Sequence, residues 1–215
     1  CLVKINGTTL LEKQLATFRK TGIIDIGIIT GYRRKILQQY GLVEFYNPHW
    51  ESTQMVTSLT YANKWLENNC CIVTYSDLYY SPEAVEMLID CKDDISITYD
   101  PNWYELWVKR FEDPLLDAET FKVNSNGYLV EIGKKPNSLD QINGQYMGLL
   151  KFTPDGWAKF AKLYQSLKPI IRKSIHMTSL LDLMIKEMPI KALPYKKAWG
   201  EVDSPKDLIF YNNGK

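Results

Sequence analysis

What most constrains this chain is an alternation. Through its first half, short apolar runs rich in β-branched residues take turns with stretches of helical periodicity. Leu10 to Thr21 places Leu11, Leu15 and Phe18 on one face, with Glu12, Lys13, Arg19 and Lys20 elsewhere, and Gly22 stops this amphipathic helix. Ile23 to Thr30 reads as a buried strand. Gly31-Tyr32-Arg33-Arg34 then turns into a helix reaching Tyr40, and Leu42 to Tyr46 is a strand ended by Asn47-Pro48. Ser52 to Asn68 starts polar and then sets Leu59, Ala62, Trp65 and Leu66 on one helical face. Ser81-Pro82-Glu83 supplies an N-cap residue, a proline at N1 and a first-turn acid. Asp94 to Asp100 alternates as a half-exposed strand should. This order of elements implies an α/β fold with a predominantly parallel sheet.

The second half changes character. Phe121 to Ile132 is a hairpin around Asn126-Gly127, and Gly148 to Phe152 is a strand that leads through Pro154-Asp155-Gly156 into a helix ending near Leu167. Met177 to Glu187 is a helix, Ile190 to Tyr195 a strand, and Ser204-Pro205 opens the last helix.

One apolar run ends on an acid. Cys71-Ile72-Val73-Thr74-Tyr75-Ser76 is closed by Asp77 and followed by helix-type sequence, which reads as a buried parallel strand carrying its carboxylate to the ligand edge of the sheet. A second acid, Asp203, lies far downstream in Trp199-Gly-Glu201-Val-Asp203-Ser-Pro-Lys-Asp-Leu208. Two carboxylates presented in this way suit a Mg²⁺–nucleotide site. Mg²⁺ takes one or two carboxylates and completes its shell with water and phosphate oxygens. The plainer reading is that Asp77 caps or turns the chain and does nothing more.

Composition narrows the classes. The chain has 215 residues, 45% of them hydrophobic, enough for one sizeable core and a single domain. A formal charge of +1, from 26 basic and 25 acidic residues, argues against a nucleic-acid binder that relies on a basic field. No apolar stretch approaches the roughly 20 residues of a membrane span. Cys1, Cys70, Cys71 and Cys91 lack zinc-finger spacing, and His49 and His176 are the only histidines, so a zinc site is not expected. Free thiols in a cytoplasmic protein are the simpler account.

Four stretches together resemble the nucleotidyltransferase superfamily, in particular bacterial phosphocholine and aminoalkylphosphonate cytidylyltransferases and their sugar-phosphate relatives. Cys1-Leu-Val-Lys-Ile-Asn-Gly-Thr-Thr-Leu-Leu-Glu-Lys-Gln-Leu15 is similar to the segment after the family's Pro-Lys pair. Tyr75-Ser76-Asp77 resembles the strand-end metal Asp, usually preceded by Gly where this chain has Ser76. Gly144-Gln-Tyr146-Met-Gly148 resembles the strand lining the acceptor pocket, and the Trp199–Leu208 stretch the element bearing the second metal Asp. The resemblance runs over nearly the whole chain. It implies a doubly wound, Rossmann-like α/β fold with a predominantly parallel, mixed sheet and a small β-rich acceptor subdomain. Residues 1–215 would form one domain, with 1–100 approximately the nucleotide-binding half and 101–215 the acceptor-binding half. In the family, a glycine-rich loop and the Pro-Lys pair cradle the triphosphate, largely through backbone N–H groups. Both would precede Cys1, so the natural protein is expected to continue upstream.

The implied activity is transfer of a nucleotidyl group, first of all CMP from CTP. The acceptor would be a small phosphate or phosphonate such as phosphocholine or 2-aminoethylphosphonate, with Mg²⁺ on Asp77 and Asp203 and release of pyrophosphate. Sugar-1-phosphate nucleotidyltransfer is the alternative. A non-catalytic nucleotide-binding domain is the reading from another class, should the phosphate loop be truly missing. A metal-dependent glycosyltransferase fits less well, because its Asp-x-Asp pair would need an acid where Tyr75 stands. The partners implied are an NTP and a phosphorylated or phosphonate acceptor, with no nucleic acid and no membrane span. Assembly into a homo-oligomer stays open.

The remaining candidates each carry two readings. The resemblance places base and ribose contacts at Asn47, Thr53, Gln54 and Ser58; alternatively, Ser52 or Thr53 merely caps a helix. Trp103, Tyr104 and Trp107, beside Glu105, would form a cage for an ammonium at roughly 0.5–2 kcal/mol per cation–π contact, or else pack in the core. Lys134 and Lys135 would touch phosphate or form a solvated turn, and Arg110 would clamp a phosphoryl group or sit in a solvated loop with Asp117-Ala-Glu-Thr120. His176 borders the acceptor pocket or lies on the surface. Tyr146 and Glu201 belong to the implied acceptor strand and terminal element.

Overall fold

Local sequence explains most element boundaries in the structure, a computed structural model that describes residues 1–213. After a small hairpin of β1 (Lys4–Ile5) and β2 (Thr8–Thr9), α1 (Leu10–Lys20) starts in a capping box. The Glu12 N–H donates to Thr9 Oγ1, and the Thr9 N–H donates back to the Glu12 carboxylate. β3 (Gly27–Thr30), shorter than the expected Ile23–Thr30 run, pairs in parallel with β4 (Val43–Tyr46) across the short α2 (Arg34–Leu37). The stretch expected as one helix over Ser52–Asn68 breaks into α3 (Met55–Leu59), a 3-10 turn and α4 (Asn63–Asn68). Thr60 Oγ1 donates to the Thr57 carbonyl there, in competition with the helical ladder. The N-cap of α3 is Gln54, not Ser52 or Thr53.

β5 (Cys71–Thr74) stops short of Asp77, which lies in a turn into β6 (Leu78–Tyr80). Helix α5 (Pro82–Asp90) comes only after that strand, with Ser81 at the N-cap and Pro82 at its start. β7 (Ile95–Asp100), α6 (Trp103–Arg110) and α7 (Pro114–Asp117) lead to a hairpin of β8 (Phe121–Val123) and β9 (Leu129–Ile132). β10 (Gln145–Phe152), α8 (Pro154–Ser166), α9 (Pro169–Ser174) and α10 (Met177–Met184) follow, then β11 (Lys191–Pro194), β12 (Trp199–Glu201) and α11 (Pro205–Asn213).

The main sheet has the order β11-β7-β10-β5. β11 runs parallel to β7, but β10 is antiparallel to both of its neighbours, so strand directions are more mixed than the alternation implies. β5, expected as a buried parallel strand, is thus a half-buried strand paired antiparallel to β10. β7 is buried along its whole length instead of half exposed. Its polar residues are accommodated inside the sheet, as where Thr98 Oγ1 donates to the Leu149 carbonyl. One face packs Ile95, Ile97 and Phe152 against Trp157, Phe160 and Leu181, and the hairpin adds Phe121, Leu129 and Ile132 to that same cluster. The other face packs Met147 and Leu149 with Leu88, Trp103, Trp107 and Trp199. Among the described residues no helix is long and apolar enough to cross a membrane.

Candidate active site

The site forms where β10 breaks register. Its pairing with β7 shifts between Tyr146 and Leu150, and Gly148 sits at φ 73°. A Cβ at Gly148 would lie 2.7 Å from the Tyr75 ring, so glycine is what lets that ring lie across the strand. The Tyr75 N–H donates to the Gly148 carbonyl at 3.0 Å, and the Tyr75 and Tyr146 rings meet edge to face at 6.0 Å. They wall a cavity of about 190 Å³, together with Trp107, Asp117, Glu119 and Glu201. Met55, Gln145, His176 and Thr178 also line it.

Its acids come from two elements. Asp117 ends α7, and the extended backbone that follows brings Glu119 and Phe121 to the cavity at alternate positions, while Ala118 is buried at 2% exposure. Asp117 accepts from the Trp107 indole N–H at 3.2 Å, and Glu119 accepts from Thr178 Oγ1 at 3.2 Å. Burial pushes both carboxyls above their ordinary range. Burial also pushes Glu201 up to about 7, against the opposing pull of Arg110. The Tyr146 hydroxyl is buried without a hydrogen-bond partner, and burial holds its proton on well above the usual phenol range.

Asp77 and Asp203 lie beside this cavity, on the ends of the β6–β12 ladder. Leu78 faces Glu201 in that ladder, and the Val202 N–H extends it by donating to the Asp77 carbonyl at 3.0 Å. Asp77 Oδ1 is buried without a hydrogen-bond partner. Burial raises the Asp77 carboxyl, and the charge of Asp203 adds to the effect. Asp203 is exposed, with 53% of its side chain accessible, and is held by Arg110 Nη2 at 3.0 Å. This donor set fits Mg²⁺. It offers one desolvated carboxylate oxygen lacking any donor and a second carboxylate one residue beyond the ladder, and phosphate and water oxygens would complete the shell.

Arg110 is neither in a solvated loop nor free to clamp phosphate. Its side chain has no exposed surface, and its guanidinium meets Glu201 at 2.7 Å, Asp203 at 3.0 Å and Asp207 at 2.9 Å. The same group lies over the rings of Trp107 and Phe111. It therefore ties α6 to β12 and α11.

The three-ring cage does not assemble. Helical spacing sends Trp103 into the core at 4% exposure and Tyr104 outward at 46%, leaving only Trp107 on the cavity wall. Lys134 and Lys135 also point elsewhere. Lys134 pairs with Glu131 and Asp182 on the surface, and Lys135 donates to the Leu115 and Leu116 carbonyls at the end of α7. His176 sits exposed at the rim of the cavity, and Tyr146 and Glu201 line it. Asn47, Thr53 and Ser58 come together, but with one another: Asn47 Nδ2 donates to Thr53 Oγ1 at 3.0 Å and to Ser58 Oγ at 2.9 Å. Among the described residues the Gln54 side chain makes no hydrogen bond, and its neighbour Met55 lines the cavity. Tyr75, Asp117, Glu119 and Thr178 were not singled out as site residues from sequence. The i, i+2 spacing of Asp117 and Glu119 was the available signal.

Residues 1–119 match the model of the MobA-like NTP transferase domain. Over 225 aligned residues the chain is 31% identical to the CTP:phosphoglutamine cytidylyltransferase of Campylobacter jejuni, covering 97% of this chain and 88% of that protein. The fold is similar to that of a putative glucose-1-phosphate thymidylyltransferase from Bacillus anthracis, with a TM-score of 0.77, 16% identity and coverage of 98% and 84% of the two chains. It is also similar to the CTP:phosphocholine cytidylyltransferase of Streptococcus pneumoniae, with a TM-score of 0.71, 17% identity and coverage of 98% and 87%.

Proposed function

The chain belongs to the MobA-like NTP transferase family and is a nucleotidyltransferase, and we propose that it moves CMP from CTP onto the phosphate or phosphonate of a small acceptor bearing a cationic nitrogen. The observation that carries this reading is the cavity beside Asp77 and Asp203. Three carboxylates and four aromatic rings line it, and among the described residues no Lys or Arg does. Glu201 is paired with Arg110 at 2.7 Å, but Asp117 and Glu119 make no ion pair among the described residues. Such carboxylates, among rings with negative faces, favour a positively charged group. The donor nucleotide and the kind of acceptor are those in the names of two relatives, CTP:phosphoglutamine and CTP:phosphocholine cytidylyltransferase.

An acceptor phosphate oxygen, already ionised at neutral pH, attacks the α-phosphorus in line and pyrophosphate leaves. No general base is required. The protein contributes alignment and charge compensation. Asp77 and Asp203 would hold Mg²⁺, which when bound neutralises phosphate charge. The cavity orients the acceptor by its cationic end, leaving its phosphate towards Asp77. A sugar 1-phosphate is served less well. Among the described residues Gln145 is the one lining carboxamide, and one of its two N–H donors goes to the Glu119 carbonyl at 2.9 Å.

Pyrophosphate release by the full-length protein tests this, with four NTPs crossed against phosphocholine, phosphoethanolamine, 2-aminoethylphosphonate, phosphoglutamine and glucose 1-phosphate. Release with CTP and an amine-bearing acceptor is expected. Fastest release with the sugar phosphate, or nucleotide binding without release, would overturn it.

A further inference from the structure

The three carboxylates of the cavity are not equivalent. Glu201 is bound to Arg110 at 2.7 Å, and Asp117 is engaged by the Trp107 indole N–H at 3.2 Å. Glu119 likewise accepts one hydrogen bond, from the Thr178 hydroxyl at 3.2 Å, and makes no ion pair among the described residues. What separates it from Asp117 is that the Arg110 guanidinium reaches Asp117 with its charge, whereas only His176 at the cavity rim does so for Glu119. A carboxylate offers about four acceptor sites, so most of its hydrogen-bonding capacity is open. Its backbone is nevertheless fixed. Gln145 Nε2 donates to its carbonyl at 2.9 Å, and its neighbours Ala118 and Thr120 are buried at 2% and 3% exposure. The charge of Glu119 reaches both the Tyr75 and Tyr146 phenols, which places the open carboxylate beside the two rings.

Aromatic faces attract a primary and a quaternary ammonium alike. A rigid carboxylate with unused lone pairs does not. A primary ammonium brings three N–H donors and forms charge-assisted hydrogen bonds, whereas a trimethylammonium group strips water from the carboxylate and returns no donor. A site built to hydrogen-bond a substrate N–H rejects the analogue that lacks it. We infer that Glu119 is a specificity-determining residue that selects acceptors carrying a primary ammonium over those carrying a quaternary one. The substrate class is then the phosphorylated or phosphonate primary amines. This rests on reading the cavity as the acceptor pocket.

A matched pair of acceptors isolates the effect: phosphoethanolamine and phosphocholine share the phosphate and differ only at nitrogen. With CTP, the wild-type protein should favour phosphoethanolamine in kcat/KM by about tenfold or more, the yield of one charged hydrogen bond. Glu119→Gln should lower kcat/KM for phosphoethanolamine by about tenfold or more while changing phosphocholine less than about threefold, so that the preference collapses. Glu119→Asp should retain part of it, and the thermal midpoint should fall in neither variant. Equal use of the two acceptors, a preference for phosphocholine, or an equal loss on both in Glu119→Gln would overturn the inference. If no acceptor yields pyrophosphate, the transferase reading fails separately, and calorimetric binding of the same pair decides the selectivity. A preference for phosphoethanolamine upholds it; equal binding or none overturns it.

Discussion

Two polar regions of this molecule use the same residue types to opposite ends. Around β4, polar groups are closed on one another. Glu44 accepts from Thr30 Oγ1, from Arg34 through Nε and Nη2, and from Gln38 Nε2, and these donors hold its carboxyl down at about 2. Asn47, 1% exposed, spends its amide donors on Thr53 and Ser58 and its oxygen on the His49 N–H. Around the cavity, by contrast, Asp77 Oδ1 and the Tyr146 hydroxyl have no partner, and Asp77, Asp117, Glu119 and Glu201 are all pushed up by burial. Orphaned oxygens are not confined to the cavity, since Tyr80, Ser96 and Tyr211 carry them too. Only around the cavity do they coincide with several carboxyls raised by burial, and that coincidence marks the region that awaits a ligand.

The strongest way to break this contrast is Asp77→Asn. An orphaned, desolvated carboxylate does nothing for the apo fold and serves the substrate complex. Turnover in the full-length enzyme should fall by about 10³-fold. The thermal midpoint should hold or rise slightly, because the substitution removes a buried charge. A collapse in thermal midpoint, or a turnover loss under about tenfold, would place Asp77 among the closed groups instead.

Arg110→Met attacks the one closed network that borders the cavity. Removing a fully buried guanidinium strands Glu201 and Asp207, a loss of about 3–5 kcal/mol for a broken buried pair. In a chain of this size that lowers the midpoint by about 10 °C. Arg110→Lys should fall between, because an ammonium restores the charge but not the planar fork that three carboxylates share.

Asp77 and Arg110 also differ in how plainly the amino-acid order marks them. The alternation of apolar runs and helical stretches, the Thr9–Glu12 capping box and the Asn126-Gly127 turn are local signals, and they located the α/β order and the hairpin. Asp77 and Asp203 stand out in the sequence because each ends or follows a short run with its own pattern, and the structure brings both to one end of the β6–β12 ladder. Two things were not legible. The antiparallel insertion of β10 depends on which strand wins a place beside β7, which no local pattern encodes. The Arg110 hub joins residues almost a hundred positions apart, and the burial that converts a loop-like Arg-Phe-Glu-Asp into a buried cation exists only once α6 and α11 meet. Trp103 and Tyr104 failed as cage residues for a related reason: neighbours in sequence face different ways on a helix.

A smaller effect separates closed from open among the expected base contacts. Asn47→Ala leaves the Thr53 and Ser58 hydroxyls without their donor. It should therefore lose about 1–3 kcal/mol of stability, with the CTP KM of the folded fraction changed less than about threefold. Gln54→Ala should do the reverse, with an unchanged midpoint and a CTP KM raised about 5–30-fold. Chemical unfolding and initial-rate kinetics on the two variants check the pair. A destabilised Gln54→Ala would put that carboxamide in the closed set.

The smallest effect is also the one that reads both regions on a single axis, pH. The Glu44 carboxyl is lowered from 4.5 to about 2, so its hydrogen bonds stabilise the fold above pH 4.5, and that contribution is lost as pH falls through about 2. Glu119 is raised by burial, so the folded state holds its proton more tightly and stability declines as pH climbs past the ordinary carboxylate range. Opposite slopes should therefore appear in the unfolding midpoint of the wild-type protein. Glu44→Gln should flatten the acid limb between pH 2 and 4.5 and leave the neutral side untouched. Glu119→Gln should leave the acid limb and lift the midpoint at neutral pH, since it removes a charge that the empty pocket disfavours. Were both variants to shift the same limb, the division between a closed β4 region and an open acceptor pocket would not hold.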